Sequence, residues 1–130
     1  MKTLAAALAL LPSLTLADGA VEVTLPDLSM FPAESLAPLL TQTVNAIVIG
    51  QNCQGFLLSD GEWSLLNGAA DIMASRLKLS TDRYESEYWD PAFALLDNPV
   101  NCDGYGPVVP VMVETMTNLG GTTGPDPVKK

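Results

Sequence analysis

The stretch NCQGFLLSDGEWSLLNGAADIMASRL, from Asn52 to Leu77, decides how the rest of the chain can fold. Ser59 and Glu62 stand three residues apart, which is the spacing of a capping box at the start of a helix. Apolar side chains then recur at steps of three and four, so they share one helix face. They are Trp63, Leu66, Ala70, Met73 and Leu77. The stretch therefore predicts an amphipathic helix with Cys53 close to its start.

The first 17 residues have the character of a secretory signal peptide. A positive start at Lys2 precedes the apolar run Leu4–Leu16, and the small residues Thr15 and Ala17 suit cleavage before Asp18. The apolar run is shorter than the about 20 residues that a membrane-spanning helix needs. We therefore expect an exported protein, periplasmic or secreted, without stable membrane insertion.

Export favours a disulfide between the two cysteines, Cys53 and Cys102. It would close a loop of about 50 residues, for which chain entropy gives roughly 4 kcal/mol of stabilisation. A free catalytic thiol is the alternative, which the even cysteine count and the absence of histidine disfavour.

The remaining segments are organised around this helix. Residues 18–32 are expected to form an extended arm, residues 33–120 a helical domain and residues 121–130 a flexible tail. A first helix should begin after Pro32 and end near Gly50, since glycine is a common terminator.

Two further helices are predicted later in the chain. One begins at Ser80 and should break or kink just before Pro91, because proline lacks the N–H and clashes with the preceding turn. A turn-rich connector over 101–107 follows it. The last begins near Val108, although the β-branched residues of Val108–Val113 also allow a strand. These patterns predict an all-α fold, a small orthogonal bundle of about four helices with one disulfide. Its expected core comprises Trp63, Leu66, Met73, Ile47, Phe93 and Val113.

Charge and composition exclude several classes of function. After removal of the signal peptide, 15 acidic residues face 5 basic ones, which disfavours nucleic acids and anionic lipids as partners. The chain has no histidine, so neither a serine nor a cysteine nucleophile can be paired with one. We predict no metal and no cofactor. Glu85, Glu87 and Asp90 could form a catalytic carboxylate pair, but a solvated helix face is the favoured explanation, and we predict no catalytic residue.

Aromatic side chains give the main indication of a binding surface. Tyr84, Tyr88 and Trp89 are close in sequence, and Tyr105 stands between two glycines. Aromatic residues are frequent in interface hot spots, but at helical spacing they also fill cores. Because Tyr88 and Trp89 are adjacent, they cannot both point inward. These four residues form the predicted binding surface.

The sequence Cys53-Gln54-Gly55-Phe56-Leu57, followed by an acid at Asp60 and an aromatic residue at Trp63, resembles the small periplasmic acid-stress chaperones of the HdeA type. The resemblance covers Asn52 to Cys102. It implies an exported, all-helical protein with one disulfide of comparable span, and a chaperone function. This chain differs from that family by a whole helix before Cys53 and by the absence of a lysine-rich C-terminal part.

These observations favour a small exported binding or chaperone-like module without catalytic activity, acting on a protein partner or client. An inhibitor or immunity-type protein, a carboxylate-based hydrolase and a structural envelope component are the alternatives. For the chaperone hypothesis, we expect acid to loosen the helices and to expose Trp63, Phe93 or Met112, while the disulfide prevents full unfolding.

Overall fold

The computed structural model describes residues 21–124 of the chain. From Ala33 to Asn118 this part consists of helices joined by short non-helical connections, and it contains no β-strand. The helices are α1 Ala33–Asn52, α2 Asp60–Arg76, α3 Thr81–Tyr84, α4 Asp90–Ala94, α5 Val100–Tyr105 and α6 Val108–Asn118. A π-helical turn, Glu85–Trp89, joins α3 to α4, and a 3-10 turn, Leu95–Asp97, follows α4. The predicted all-α fold is confirmed. The predicted signal peptide lies outside the described residues.

Helix α1 is the centre of the molecule. It packs against α2 and α6 and also against the π-helical turn, α4 and α5. Because these elements pack on several sides of α1, side chains on several faces of its second half are buried, and not only those on a single apolar face. The fully or almost fully buried side chains are Leu36, Leu40, Thr43, Val44, Ala46, Ile47, Val48 and Ile49. The one polar member, Thr43, donates its hydroxyl to the Leu39 carbonyl at 2.8 Å, so its burial costs no hydrogen bond.

Helix α2 begins with the predicted capping box. The Ser59 hydroxyl accepts the Glu62 N–H at 3.1 Å, and the Glu62 carboxylate accepts the Ser59 N–H at 2.9 Å. Leu66, Ala70 and Met73 are buried as expected, against α1 and α6. The expectation for Trp63 is wrong, because this side chain is 38 % exposed. It stands in the first turn of α2, beside the end of α1, where no helix continues over it.

The segment after α2 stays helical across Pro91. Ser80 caps its start by accepting the Arg83 N–H at 3.2 Å. The expected kink takes the form of the π-helical turn, in which the Asp90 N–H donates to the Glu85 carbonyl five residues back. Such a turn is a common way for a helix to absorb an irregularity. In α4 the buried residue is Ala92, so its neighbour Phe93 points sideways and is 47 % exposed, against the expectation of a core position.

The predicted disulfide is confirmed. Cys53 follows α1 and bonds to Cys102 of α5, with an S–S distance of 2.04 Å. The predicted turn-rich connector over 101–107 is wrong, since Val100–Tyr105 forms α5. The alternative between helix and strand for the last segment resolves to the helix α6, which buries Val109, Met112 and Met116. Pro99 and Pro107 each stand directly before a helix, where a missing N–H costs nothing.

Residues 21–32 run in an extended course over α2 and past the end of α6. Thr24 and Thr122 exchange two hydrogen bonds of 2.8 and 2.9 Å, and the Asp27 N–H donates to the Leu119 carbonyl at 2.9 Å. The Arg76 guanidinium of α2 donates to the Leu28 and Phe31 carbonyls. Of the segment expected to be a flexible tail, residues 121–124 pack here, and residues 125–130 lie outside the described part.

Candidate functional site

Four aromatic side chains follow one another along α3, the π-helical turn and α4. The ring centroids of Tyr84 and Tyr88 are 6.4 Å apart, and those of Tyr84 and Trp89 are 6.0 Å apart, both in edge-to-face geometry. Trp89 and Phe93 follow at 6.2 Å with a tilt of 32°. These separations are typical of favourable aromatic pairs. We call Tyr84, Tyr88, Trp89 and Phe93 the aromatic edge.

The aromatic edge is neither core nor free surface. Tyr84, Tyr88 and Trp89 are half-buried against the core, and Phe93 is exposed. The adjacent residues Tyr88 and Trp89 therefore share the boundary between core and solvent, rather than one lying inside and the other outside. Between residues 81 and 105, Ala92 is the one buried residue. Apart from Ala92, the apolar side chains of residues 81–105 are therefore at least partly exposed to solvent.

The Tyr84 hydroxyl anchors the aromatic edge to α2. It donates a hydrogen bond of 3.3 Å to the Asp71 carboxylate. Burial disfavours the phenolate and, with the nearby Asp71 charge as a lesser cause, raises the pKa of Tyr84 to about 12. Tyr84 is thus a neutral hydrogen-bond donor at physiological pH, and its role here is positional.

Tyr105, the fourth residue of the predicted surface, stands apart. It is half-buried at the end of α5, and none of the aromatic pairs found within residues 21–124 includes it. The structure therefore brings together Tyr84, Tyr88 and Trp89, adds Phe93 to them, and leaves Tyr105 elsewhere.

Of the carboxylates beside the aromatic edge, Glu87 lacks the character of a general acid. Glu87 makes an ion pair with Arg83 at 2.9 Å, and this hydrogen bond holds the pKa of Glu87 below its usual value. A general acid needs the opposite, a carboxyl whose pKa is raised by burial. Within residues 21–124, no group of three or more potential ligands from His, Cys, Asp and Glu is placed to hold a metal ion.

The charge around the aromatic edge is strongly acidic. Asp90 stands three residues before Phe93 within α4, which makes the two neighbours on that helix, while Asp97 follows Phe93 by four residues and Glu85 precedes Trp89 by four. The basic residues of the described part, by contrast, are Arg76, Lys78 and Arg83. Two of these are engaged, because Arg76 binds carbonyls of residues 21–32 and Arg83 binds Glu87. Carboxylates therefore dominate the rim of the aromatic edge.

A second apolar surface was not predicted from the sequence. It surrounds Leu57, in the loop between α1 and α2, where this side chain is 54 % exposed. Two clefts of about 190 and 300 Å³ flank it. The run Phe56-Leu57-Leu58 could have indicated it, because three consecutive large apolar residues in a short loop cannot all turn inward.

No protein-family model matches the chain, and neither a curated protein nor a solved structure matches it. Within the described residues, none of the helices combines the length and apolar character needed to cross a membrane. The aromatic edge and the surface around Leu57 are therefore the candidate functional sites of the described part.

Proposed function

We propose that this protein is an exported, non-enzymatic binding module that contacts a protein partner or client through the aromatic edge. The observation that carries the proposal is the exposure of Phe93 beside the half-buried Trp89, on a segment that buries no large side chain. Aromatic residues contribute large contact areas at interfaces. The acidic rim formed by Glu85, Asp90 and Asp97 favours a partner segment that is both apolar and basic, since opposite charges steer association.

Export is part of the proposal. The signal-like residues 1–17 support it, and so does the disulfide, because disulfides persist in oxidising compartments and are rare in the cytosol. Mass spectrometry of the protein recovered from the periplasm or medium should find a chain that begins at Asp18. A chain retained in the cytosol with Met1 would contradict export.

A chaperone-like activity is the more specific form of the proposal, and the resemblance of residues 52–102 to acid-stress chaperones supports it. The expected acid exposure needs one correction, because Trp63 and Phe93 are already exposed in the folded protein, whereas Met112 is buried. Acid is therefore not needed to uncover the aromatic edge. Acid protonates carboxylates in general, so its expected effect is to lower the negative charge of the protein as a whole.

Acid should weaken the fold only slightly through the carboxylates that are hydrogen-bonded. The pKa values of Glu87 and Asp27 lie below their usual values, because of hydrogen bonds from Arg83 and from Ser29. A lowered folded-state pKa stabilises the protein above the ordinary carboxylate pKa, and this stabilisation is lost as pH falls through the lower value. Both side chains are exposed, so the loss is small.

The experiment compares Phe93→Ser with Val100→Ser in the exported protein. Both replace an exposed apolar residue, but Val100 lies on α5, outside the aromatic edge. Light scattering by acid-denatured lactate dehydrogenase, at pH 3 and at pH 7, measures suppression of aggregation. We expect the wild type and Val100→Ser to protect at pH 3, and Phe93→Ser to lose at least about half of the protection, as expected for an interface hot spot.

The alternatives give different results. Equal protection by Phe93→Ser and Val100→Ser would contradict a role for the aromatic edge. Absence of protection, together with stoichiometric binding of one envelope protein that Phe93→Ser abolishes, would favour the inhibitor or immunity-type alternative at the same surface. Hydrolytic activity lost in Glu85→Gln or Asp90→Asn would favour the carboxylate-based hydrolase.

A further inference from the structure

The loop between α1 and α2 holds three consecutive apolar residues in alternating directions. Phe56 lies against Gly106, where a Cβ atom would come within 2.3 Å of the phenyl ring. Leu58 lies against Gly50, where a Cβ atom would come within 2.5 Å of its Cγ. Both glycines thus provide space for a large neighbour that any side chain would displace. Leu57, between Phe56 and Leu58, points outward and is exposed.

The loop that presents Leu57 is fixed at both ends. Cys53 is buried and bonded to Cys102, and its carbonyl accepts the Phe56 N–H at 3.1 Å. At the other end the Leu58 N–H donates to the Gly50 carbonyl at 2.8 Å, and Ser59 caps α2. A surface held in place before binding loses little conformational entropy when a partner docks. Leu57 is therefore a preorganised contact residue.

Two neighbouring clefts share Leu57 and Leu58 as lining residues. The smaller, about 190 Å³, lies towards α6 and is lined by Phe56, Leu57, Leu58, Val109, Pro110 and Val113, with Glu62 at its side. The larger, about 300 Å³, lies towards the end of α1 and is lined by Gly50, Gln51, Leu57, Leu58, Asp60 and Trp63. Since Leu57 and Leu58 line both, they form a ridge between the clefts. We call this ridge with its two clefts the Leu57 surface.

Each cleft carries one carboxylate, and no lysine or arginine of residues 21–124 lines either of them. Asp60 borders the larger cleft, and Glu62 borders the smaller one. Glu62 uses one oxygen to accept the Ser59 N–H, so its second oxygen is available to a partner. The Leu57 surface therefore combines exposed apolar side chains, Leu57 foremost, with a carboxylate in each cleft, and this combination fits a partner that is both apolar and cationic.

We propose that the Leu57 surface binds an extended segment of a partner protein, with aliphatic side chains at positions i and i+2 and a lysine or arginine next to them. In an extended chain these two side chains lie on the same face, about 7 Å apart. We therefore expect one of them to enter each cleft, on either side of Leu57, while the basic side chain meets Asp60 or Glu62. This proposal does not depend on the aromatic edge, which lies on α3 and α4.

The test titrates three synthetic peptides into isotope-labelled protein and follows backbone amide shifts. The matching probe is acetyl-Lys-Leu-Ser-Val-Arg-amide. In acetyl-Lys-Leu-Val-Ser-Arg-amide the aliphatic residues are adjacent and face opposite ways, and in acetyl-Glu-Leu-Ser-Val-Glu-amide the charge is inverted. We expect saturable shifts in residues 55–63 and 109–113 with the first peptide, and at least about fivefold weaker binding of the other two.

Variants of the protein separate the apolar contact from the charge. Leu57→Ser should weaken binding of the matching peptide about tenfold, whereas Val100→Ser, equally exposed but on α5, should not change it. Combining Asp60→Asn with Glu62→Gln should weaken binding about threefold at low salt, and glutamine keeps the capping box intact.

Several outcomes would overturn the proposal. In the peptide titration these are the absence of saturable amide shifts, equal binding of the three peptides, and shifts confined to residues 84–93. In the variant comparison it is unchanged binding of the matching peptide by Leu57→Ser. Shifts of the Leu57 surface that grow with protein concentration in the absence of peptide would assign it to a second copy of this chain, and would equally overturn it.

Discussion

Helix α1 and the segment 81–105 contain similar proportions of apolar residues but use them in opposite ways. In α1 nine residues are buried, including Ile47, Val48 and Ile49 in sequence. Between residues 81 and 105 the one buried residue is Ala92. An uninterrupted helix of 20 residues can be surrounded by neighbours, whereas helices of four to six residues, joined by π-helical and 3-10 turns, contact the core along one edge. The difference separates a part that stabilises the fold from a part that presents apolar surface.

The disulfide connects these two regions, and its removal should have the largest effect. Cys53→Ser combined with Cys102→Ser opens a loop with a sequence separation of 49 residues. Chain entropy predicts a loss of about 4 kcal/mol in the free energy of unfolding, measured by urea denaturation. A loss below about 1 kcal/mol would show that helix packing alone holds the segment 81–105 to α1.

A pair of truncations compares the two regions directly. Ile47→Ala removes buried methyl groups from the fully covered α1 and should cost about 2–5 kcal/mol of unfolding free energy. Phe93→Ala removes a larger side chain that is half in solvent, and should cost less than about 1 kcal/mol. The comparison is made by urea unfolding of both variants under the same conditions. Similar losses in the two variants would contradict the division into inner and outer parts.

The last comparison concerns Tyr84, at the boundary between the two regions. Its pKa of about 12 in the folded protein exceeds the ordinary value near 10. Between these values the unfolded chain releases the tyrosine proton and the folded protein keeps it, so stability should fall as pH rises from 10 to 12. The variant Tyr84→Phe should not show the loss of stability that Tyr84 causes between pH 10 and pH 12. The control variant, Tyr105→Phe, should still show it.

The measurement is the urea midpoint at pH 8 and pH 11, completed quickly to avoid alkaline damage to the disulfide. Absorbance at 295 nm follows tyrosine ionisation in the folded protein independently. A Tyr84 that ionises near pH 10 would contradict the burial that raises its pKa.

Local signals in the sequence predicted the features that depend on neighbours in the chain. The capping box of Ser59 and Glu62 and the cap at Ser80 are of this kind. The pairing of the cysteines was predicted from their number, since two cysteines allow one pair. The central place of α1 could not be predicted, because full burial depends on which other helices pack around it. The periodicity of α2 likewise puts Trp63 on the inner face without showing that α1 ends beside it.

Proline and glycine were the main sources of error. Residues 101–107 contain two glycines and a proline, yet α5 forms there, with the disulfide at Cys102 within it. The exposure of Leu57 depends on Gly50, which receives Leu58, and on Gly106, which is distant in sequence and receives Phe56. Of the predicted binding residues, Tyr84, Tyr88 and Trp89 come together because one helical segment carries them, while Tyr105 belongs to another helix.

Native-state hydrogen exchange tests the central comparison most directly. We predict that amides in α1, such as those of Ile47 and Val48, exchange only through global unfolding. Their free energy of exchange should therefore fall with denaturant as steeply as the free energy of global unfolding. Amides of Glu85–Trp89 should exchange through local opening, with a lower free energy and little dependence on denaturant, because few buried contacts hold this segment. Equal free energies and equal denaturant slopes in the two regions would contradict the account.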